Sequence, residues 1–112
     1  PMELQIFDDH LVLYLPKRYY RKRVTRMEIN QMKYSEITKC VYKTKSQRIH
    51  LYGNGTSTWY NYKADGTIPQ APTQVRNYTA GLIYFNTQLA TNIDFKTEIE
   101  NHSPIHVIVE NS

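Results

Sequence analysis

The sequence has only one cysteine, four glycines and five prolines, and it has no long apolar run. A single cysteine cannot form an internal disulfide, which excludes the disulfide-stapled modules common among secreted proteins. The longest apolar run, residues 11–15, is far shorter than the roughly 20 residues that a membrane-spanning helix needs. No basic segment followed by an apolar core opens the chain, so we expect no signal peptide and a cytoplasmic location.

The sequence also lacks the motifs of common catalytic and metal sites. It contains no glycine-rich phosphate loop and no Gly-x-Ser-x-Gly nucleophile motif. His102 and His106 have the spacing of metal ligands only if both lie on the same helix, and Pro104 between them would interrupt that helix. Cys40 stands in a strand-like run, which favours a buried thiol over a nucleophile. We therefore expect no catalytic residue, no metal and no cofactor, and the protein is predicted not to be an enzyme.

What is present indicates one sheet-rich domain. A chain of 112 residues is long enough for a single core, so we predict one domain over residues 1–112. Apolar residues make up 40% and charged residues 21%, a balance typical of a folded globular chain. Ten tyrosines favour strands, because aromatic side chains pack well on a pleated, half-buried surface.

The positive charge is concentrated in one segment. Residues 1–56 hold eleven Lys/Arg against five Asp/Glu, whereas residues 57–112 hold three against five. Six of the ten residues in 17–26 are basic, a density that attracts phosphate-bearing partners. We take this segment as the candidate anion-binding site; its residues are Lys17, Arg18, Tyr19, Tyr20, Arg21, Lys22, Arg23 and Arg26.

Two interpretations of this basic segment are open. It is either a solvated hairpin loop whose charges keep a strand edge from aggregating, or a surface for nucleic acid, anionic lipid or an acidic protein. Tyr19 and Tyr20 strengthen the second interpretation, because aromatic rings beside cations stack on bases or enter a membrane interface.

Alternation with period two recurs along most of the chain and predicts about seven strands followed by a closing strand. Pro16 is expected to end the second strand, since it cannot donate to a sheet. Gly53-Asn54-Gly55 is a strong turn signal. The predicted strands are residues 4–6, 11–15, 24–29, 40–42, 49–52, 58–62, 81–86 and 105–109, the pair at 40–42 and 49–52 forming a hairpin.

Two segments break the alternation. Residues 63–80 contain two prolines and little apolar content, and are predicted to form a long loop. Residues 92–102 are predicted to form a helix, because Phe95 and Ile99 give an apolar face at i, i+4 spacing. A capping box from Thr91 to Asp94 begins this helix, and Pro104 stops it.

This order of elements resembles the pleckstrin-homology-like barrel, in particular its small bacterial members. Residues 4–13 look like the family's first strand pair, with an acidic turn between the strands. Residues 32–37 are similar to its aromatic-Ser-acid-Ile element, and residues 45–53 to the next strand and its glycine turn. Residues 93–100 followed by 105–109 resemble the terminal helix with an added short strand.

The resemblance implies a mainly β fold: a small barrel of about seven strands, one helix near the C-terminus and a short final strand. Lipid-binding members carry spaced basic residues in their first long hairpin, and Lys17, Arg21 and Arg23 satisfy that spacing. The long loop at 63–80 departs from the family pattern.

Two functions are therefore expected. The first is a non-catalytic binding module whose basic hairpin and sheet edge bind a protein partner or an anionic membrane surface. In the membrane case the protein would be peripheral, at the inner face of the membrane. The alternative is a single-stranded nucleic-acid-binding small β-barrel, with Tyr19, Tyr20, Tyr60 and Tyr62 stacking on bases. The two differ in the arrangement of side chains. A nucleic-acid platform places aromatics and cations on one sheet face, whereas a binding barrel buries most tyrosines and leaves the cations in a loop.

Overall fold

The computed structural model describes residues 2–19 and 23–111; the side chains of Arg18, Tyr19, Arg23 and Val24 are outside this description. The described chain is mainly β, with one helix near the C-terminus and a short final strand, as predicted. The strands are β1 (Glu3–Ile6), β2 (His10–Tyr19), β3 (Arg23–Lys33), β4 (Ile37–Lys43), β5 (Arg48–Asn61), β6 (Gln74–Asn86) and β7 (Val107–Glu110). The helix is α1 (Phe95–His102), and short 3₁₀ turns cover Tyr34–Glu36 and Thr87–Ala90.

The seven strands form one curled sheet, a half-barrel organised around β5. One edge of β5 pairs with β6 along nearly its whole length. Its other edge pairs with β4 over the first half and with β3 over the second half. β1 and β2 extend the sheet beyond β3, and β7 adds to β4 as a parallel strand. The predicted hairpin between β4 and β5 is confirmed.

The core lies on the inner face of the sheet, at the end where β4 pairs with β5. Alternate residues of each strand point to this face, as the period-two pattern requires. Phe95 and Ile99 of α1 pack onto it and close this end, which we call the closed end. The other end, around the second half of β5, is the open end. The buried core consists of Leu11, Leu13, Met32, Tyr34, Ile37, Cys40, Ile49, Leu51, Ile83, Phe85, Phe95, Ile99 and Val107.

Pro16 does not end the second strand, contrary to the prediction. β2 continues through Pro16, which pairs with Met27 of β3, and reaches Tyr19. The pairing of β1 with β2 stops at Tyr14, so β2 is an edge strand at the position of the proline. Proline is tolerated on an edge because its missing N–H deprives no neighbouring strand of a hydrogen bond.

Gly53-Asn54-Gly55 is not a turn either; it lies inside β5. A Cβ on Gly53 would collide with the backbone carbonyl of Glu36, and one on Gly55 would collide with the ring of Tyr78. These glycines therefore permit close approach of a neighbouring chain segment, a second role that glycine has in strands. A bulge at this point, where Ala80 adopts a φ of 51°, lets β6 follow the bend.

The predicted long loop and the predicted helix both have different bounds in the structure. β6 begins at Gln74, so the second part of residues 63–80 is strand, paired with the Gly55–Trp59 part of β5. The helix begins at Phe95, three residues later than predicted. Asp94 is the N-cap, because its carboxylate accepts the backbone N–H of Thr97 at 3.2 Å.

Candidate functional site

The described residues of the basic segment are 17–19, which end β2, and 23–26, which begin β3. Pairing of these two strands continues to Tyr19 and Arg23. β1 stops pairing at Tyr14, and the ladder with β5 stops at Arg26, so the hairpin extends past its neighbours on both sides. Tyr20, Arg21 and Lys22 lie outside the described residues, as do the side chains of Arg18, Tyr19 and Arg23.

Lys17 and Arg26 are the two predicted site residues whose side chains the structure describes. They are register partners at the base of the hairpin and lie on the inner face, at the open end. Both contact Glu28: the Lys17 Nζ is 3.8 Å from the carboxylate and the Arg26 guanidinium 3.1 Å. We call Lys17, Arg26, Glu28 and Trp59 the hairpin-base cluster.

Trp59 completes this cluster from β5. The guanidinium carbon of Arg26 lies 4.5 Å from the centroid of the Trp59 ring, a cation–π contact. The indole N–H of Trp59 donates to the hydroxyl of Ser57 at 2.9 Å, which fixes the ring. The Nε of Arg26 is buried and has no hydrogen-bond partner within residues 2–19 and 23–111. Two cations share one carboxylate here, so the base of the hairpin keeps an excess of positive charge.

The tyrosines are mostly not in the core. Of the tyrosine side chains that the structure describes, only Tyr34 is buried; Tyr84 is exposed and the others are half-buried. Tyr60 pairs with Met27 and lies on the outer face, opposite to Lys17 and Arg26. The predicted stacking set around the hairpin is therefore not assembled on one face by the described residues.

A second group of aromatic and basic side chains lies on the outer face at the closed end, and sequence reasoning missed it. Tyr52 and Tyr84 carry the cations of Lys39 and Arg48 over their rings, and His50 stacks beside Tyr84. We call Lys39, Arg48, His50, Tyr52 and Tyr84 the outer-face cluster. The alternation Arg48-x-His50-x-Tyr52 was the available signal, because alternate residues of a strand share a face.

The residues with catalytic or metal-binding chemistry do not converge. Cys40 is fully buried, and burial together with the charge of Glu100 raises the pKa of its thiol to about 12. His102 donates to the carbonyl of Glu98 and contacts the ring of Tyr34, whereas His106 is almost fully exposed beside Glu100. Across the described part of the chain, no three His, Cys, Asp or Glu residues are grouped to hold a metal ion.

A groove of about 490 Å³ lies where β3 and β4 separate from one another along β5. Its polar groups are largely paired among themselves. The Asn54 amide donates to the Glu36 carboxylate at 3.0 Å, and the Thr56 hydroxyl donates to the Asn77 side-chain carbonyl at 2.8 Å. The first bond joins the 3₁₀ turn Tyr34–Glu36 to β5, and the second joins β5 to β6. The Tyr78 hydroxyl, which also lines the groove, is buried and has no hydrogen-bond partner among residues 2–19 and 23–111.

Comparison with known proteins finds no family model, no curated protein and no solved structure that matches this chain. Among the described residues, no helix has the length and apolar character needed to cross a bilayer.

Proposed function

We propose that the protein is a non-catalytic binding module with a pleckstrin-homology-like fold, and that its basic hairpin binds phosphate-bearing anionic partners. The observation that carries the proposal is the register of the hairpin. β2 and β3 pair with each other beyond the ends of β1 and β5, so residues 17–19 and 23–26 form a projecting ribbon.

The charge balance supports an anionic partner. Between residues 17 and 28 the sequence has six basic residues and one acidic residue, Glu28. Glu28 contacts only the two cations at the hairpin base, Lys17 and Arg26, among the described ion pairs. Partial neutralisation at the base, with Trp59 as a platform for Arg26, stiffens the attachment of the ribbon to the sheet.

The curled sheet and its C-terminal helix support the fold part of the proposal. α1 covers the closed end of the half-barrel, whereas the paired residues 17–19 and 23–26 lie at the opposite end. The module is proposed to be non-catalytic because its one thiol is buried with a raised pKa and its histidines are dispersed.

The experiment replaces Arg21, Lys22 and Arg23 together by glutamine. Each basic residue near an anionic membrane contributes about 1 kcal/mol, so the loss should be about 3 kcal/mol, roughly a hundredfold in affinity. Binding is measured by co-sedimentation with phosphatidylserine-containing vesicles and by titration with an oligonucleotide, each at low and at physiological salt. Affinity should fall with salt, because exposed charges are screened.

The matched control replaces three exposed lysines elsewhere, Lys33, Lys45 and Lys63, by glutamine. It removes the same charge but should keep most of the affinity if the hairpin is the site. Binding to vesicles alone identifies a lipid surface as the partner, and binding to the oligonucleotide alone identifies nucleic acid. If the wild-type protein binds neither at low salt, the hairpin is a solvated loop and the proposal is wrong.

A further inference from the structure

The outer-face cluster lies on three adjacent strands at the closed end, away from the hairpin. His50 of β5 is the register partner of Tyr84 in β6, and Tyr52 pairs with Leu82. Lys39 of β4 pairs with Tyr52 on the other side. Because side chains of paired residues share a face, all of these groups project from the same outer surface.

The half-buried Tyr52 ring and the exposed Tyr84 ring are each accompanied by a cation. The Nζ of Lys39 is 5.4 Å from the Tyr52 centroid, and the guanidinium carbon of Arg48 is 5.7 Å from the Tyr84 centroid. Both distances are within the range of cation–π attraction. The rings of His50 and Tyr84 are nearly parallel, with an interplanar angle of 20° and centroids 5.6 Å apart. The surface therefore alternates flat rings with positive charges.

This surface is open to solvent although much of it is apolar. Tyr84 is 51% exposed, and its strand neighbour Leu82 is 46% exposed. Ile108 of β7 extends the apolar border at 47% exposure. Exposed large apolar groups that lie together on a sheet mark interaction surfaces more often than isolated ones do.

The charge around the cluster is positive. Lys39, Lys43 and Arg48 project from this face, and Glu110 of β7 is the carboxylate near them within the described strands. Burial, reinforced by Lys43 and Arg48 and opposed by Glu110, lowers the pKa of His50. His50 is thus neutral at pH 7 and presents an uncharged aromatic ring beside Tyr84.

We propose that the outer-face cluster is a stacking platform for a short segment of single-stranded nucleic acid. Bases stack on Tyr52 and on the Tyr84–His50 pair, and Lys39, Lys43 and Arg48 contact the phosphates. Tyr52 and Tyr84 are diagonal neighbours on paired strands. Diagonal positions in a sheet are typically about 7–8 Å apart, a spacing that lets the two rings take neighbouring bases of one strand. Charge complementarity with phosphate and the paired rings together select this occupant over an acidic peptide, which would use the cations alone.

The experiment measures binding of a labelled oligothymidylate by fluorescence anisotropy, using Tyr52→Leu and Tyr84→Leu. Loss of one stacked base should weaken binding about five- to 150-fold for each variant. Heparin, which carries charge without bases, serves as the second probe and should lose little affinity. The control Tyr14→Leu removes a half-buried tyrosine of β2 outside the cluster and should bind oligothymidylate like the wild type.

Phenylalanine variants control for a general loss of structure in the leucine variants. Tyr52→Phe and Tyr84→Phe keep the rings and should retain oligothymidylate binding, which a general loss of structure would not permit. The proposal is overturned if the leucine variants bind oligothymidylate as tightly as the wild type, or if heparin binding falls by the same factor. It is also overturned if the wild type binds oligothymidylate only through the hairpin, so that the Arg21, Lys22 and Arg23 replacement abolishes binding while the leucine variants do not weaken it.

Discussion

At the scale of single residues, Cys40 shows how completely the closed end excludes water. Its register partners are Leu51 of β5 and Val107 of β7, so the thiol lies between two other core residues. Burial is the main cause that raises its pKa, with a smaller contribution from the charge of Glu100. The reactive thiolate is consequently scarce in the folded protein.

We expect Cys40 to be inert toward a disulfide-exchange reagent at pH 8. With a pKa of about 12, roughly one thiol in ten thousand is ionised at that pH, and the reagent must also reach a buried atom. The measurement is the rate of release of the chromophore of an aromatic disulfide, in buffer and in denaturing urea. Rapid modification of the folded chain in buffer would contradict the burial of this side chain.

Local sequence explains the strands but not the two glycines of β5. The sequence pattern correctly predicted strands within β2, β4 and β5, because such a pattern depends only on neighbours along the chain. Gly53 and Gly55 were assigned to a turn, since glycine favours turns locally. Glycine is required at these positions because the Glu36 carbonyl approaches Gly53 and the Tyr78 ring approaches Gly55, leaving no room for a Cβ. Both groups come from distant positions in the sequence.

At the scale of elements, α1 is the lid of the closed end. Phe95 is 4% exposed, and its ring meets that of Phe85 edge-on with centroids 5.1 Å apart. Glu100, on the same helix, accepts the backbone N–H of Val107 at 2.8 Å and so ties the helix to β7. The helix and the final strand are thereby fixed together onto the core.

The variant Phe95→Ala should lose about 3–5 kcal/mol of unfolding free energy, because a buried ring is removed and a cavity remains. The matched variant Phe7→Ala changes a ring that is 44% exposed and stacks only on His10 among the described aromatic contacts, so its loss should stay below about 1 kcal/mol. Urea denaturation followed by circular dichroism measures both. An unchanged midpoint for Phe95→Ala would show that α1 is not the lid.

The elements of the candidate sites were only partly predictable. The basic segment was visible because its residues are contiguous. The outer-face cluster was not, because Tyr52 and Tyr84 become neighbours only through the pairing of β5 with β6. The connection between these strands, residues 62–73, has a composition that does not indicate which residues of β5 and β6 pair. For the same reason, the sequence predicts a loop at Gln74–Ala80, where the structure has strand.

At the scale of the whole molecule, the shifted pKa values define a pH range of stability. The Thr97 backbone N–H, then its hydroxyl, lowers the pKa of Asp94, and the Val107 N–H, followed by Lys96, lowers that of Glu100. Their contribution is present above the ordinary values of 3.8 and 4.5, and is lost as pH falls through the folded values. Burial raises the pKa of Tyr34 from 10.0 to about 12, with the charge of Glu98 adding to it.

Burial also lowers the pKa of His50 from its ordinary value of 6.5, so its contribution is present above that value and is lost as pH falls through the folded value. We therefore expect the urea midpoint to be highest between about pH 7 and 9 and to fall on both sides. On the alkaline side the unfolded chain releases protons from Cys40 above pH 9 and from Tyr34 above pH 10, whereas the folded chain holds them until about pH 12. Tyr34→Phe tests the assignment. Its alkaline decline should be shallower than that of the wild type, and an identical decline would exclude Tyr34 as a cause.

The position of β5 in the sheet affects how the domain unfolds. This strand belongs to the covered part of the sheet through β4 and to the uncovered part through β3, and β6 joins both along the other edge. Neither the part of the sheet around β4 nor the part around β3 can unfold without breaking backbone hydrogen bonds to β5. We therefore expect unfolding to be cooperative across the sheet, and amide protons in the middle of β5 to exchange with solvent only when the entire domain opens.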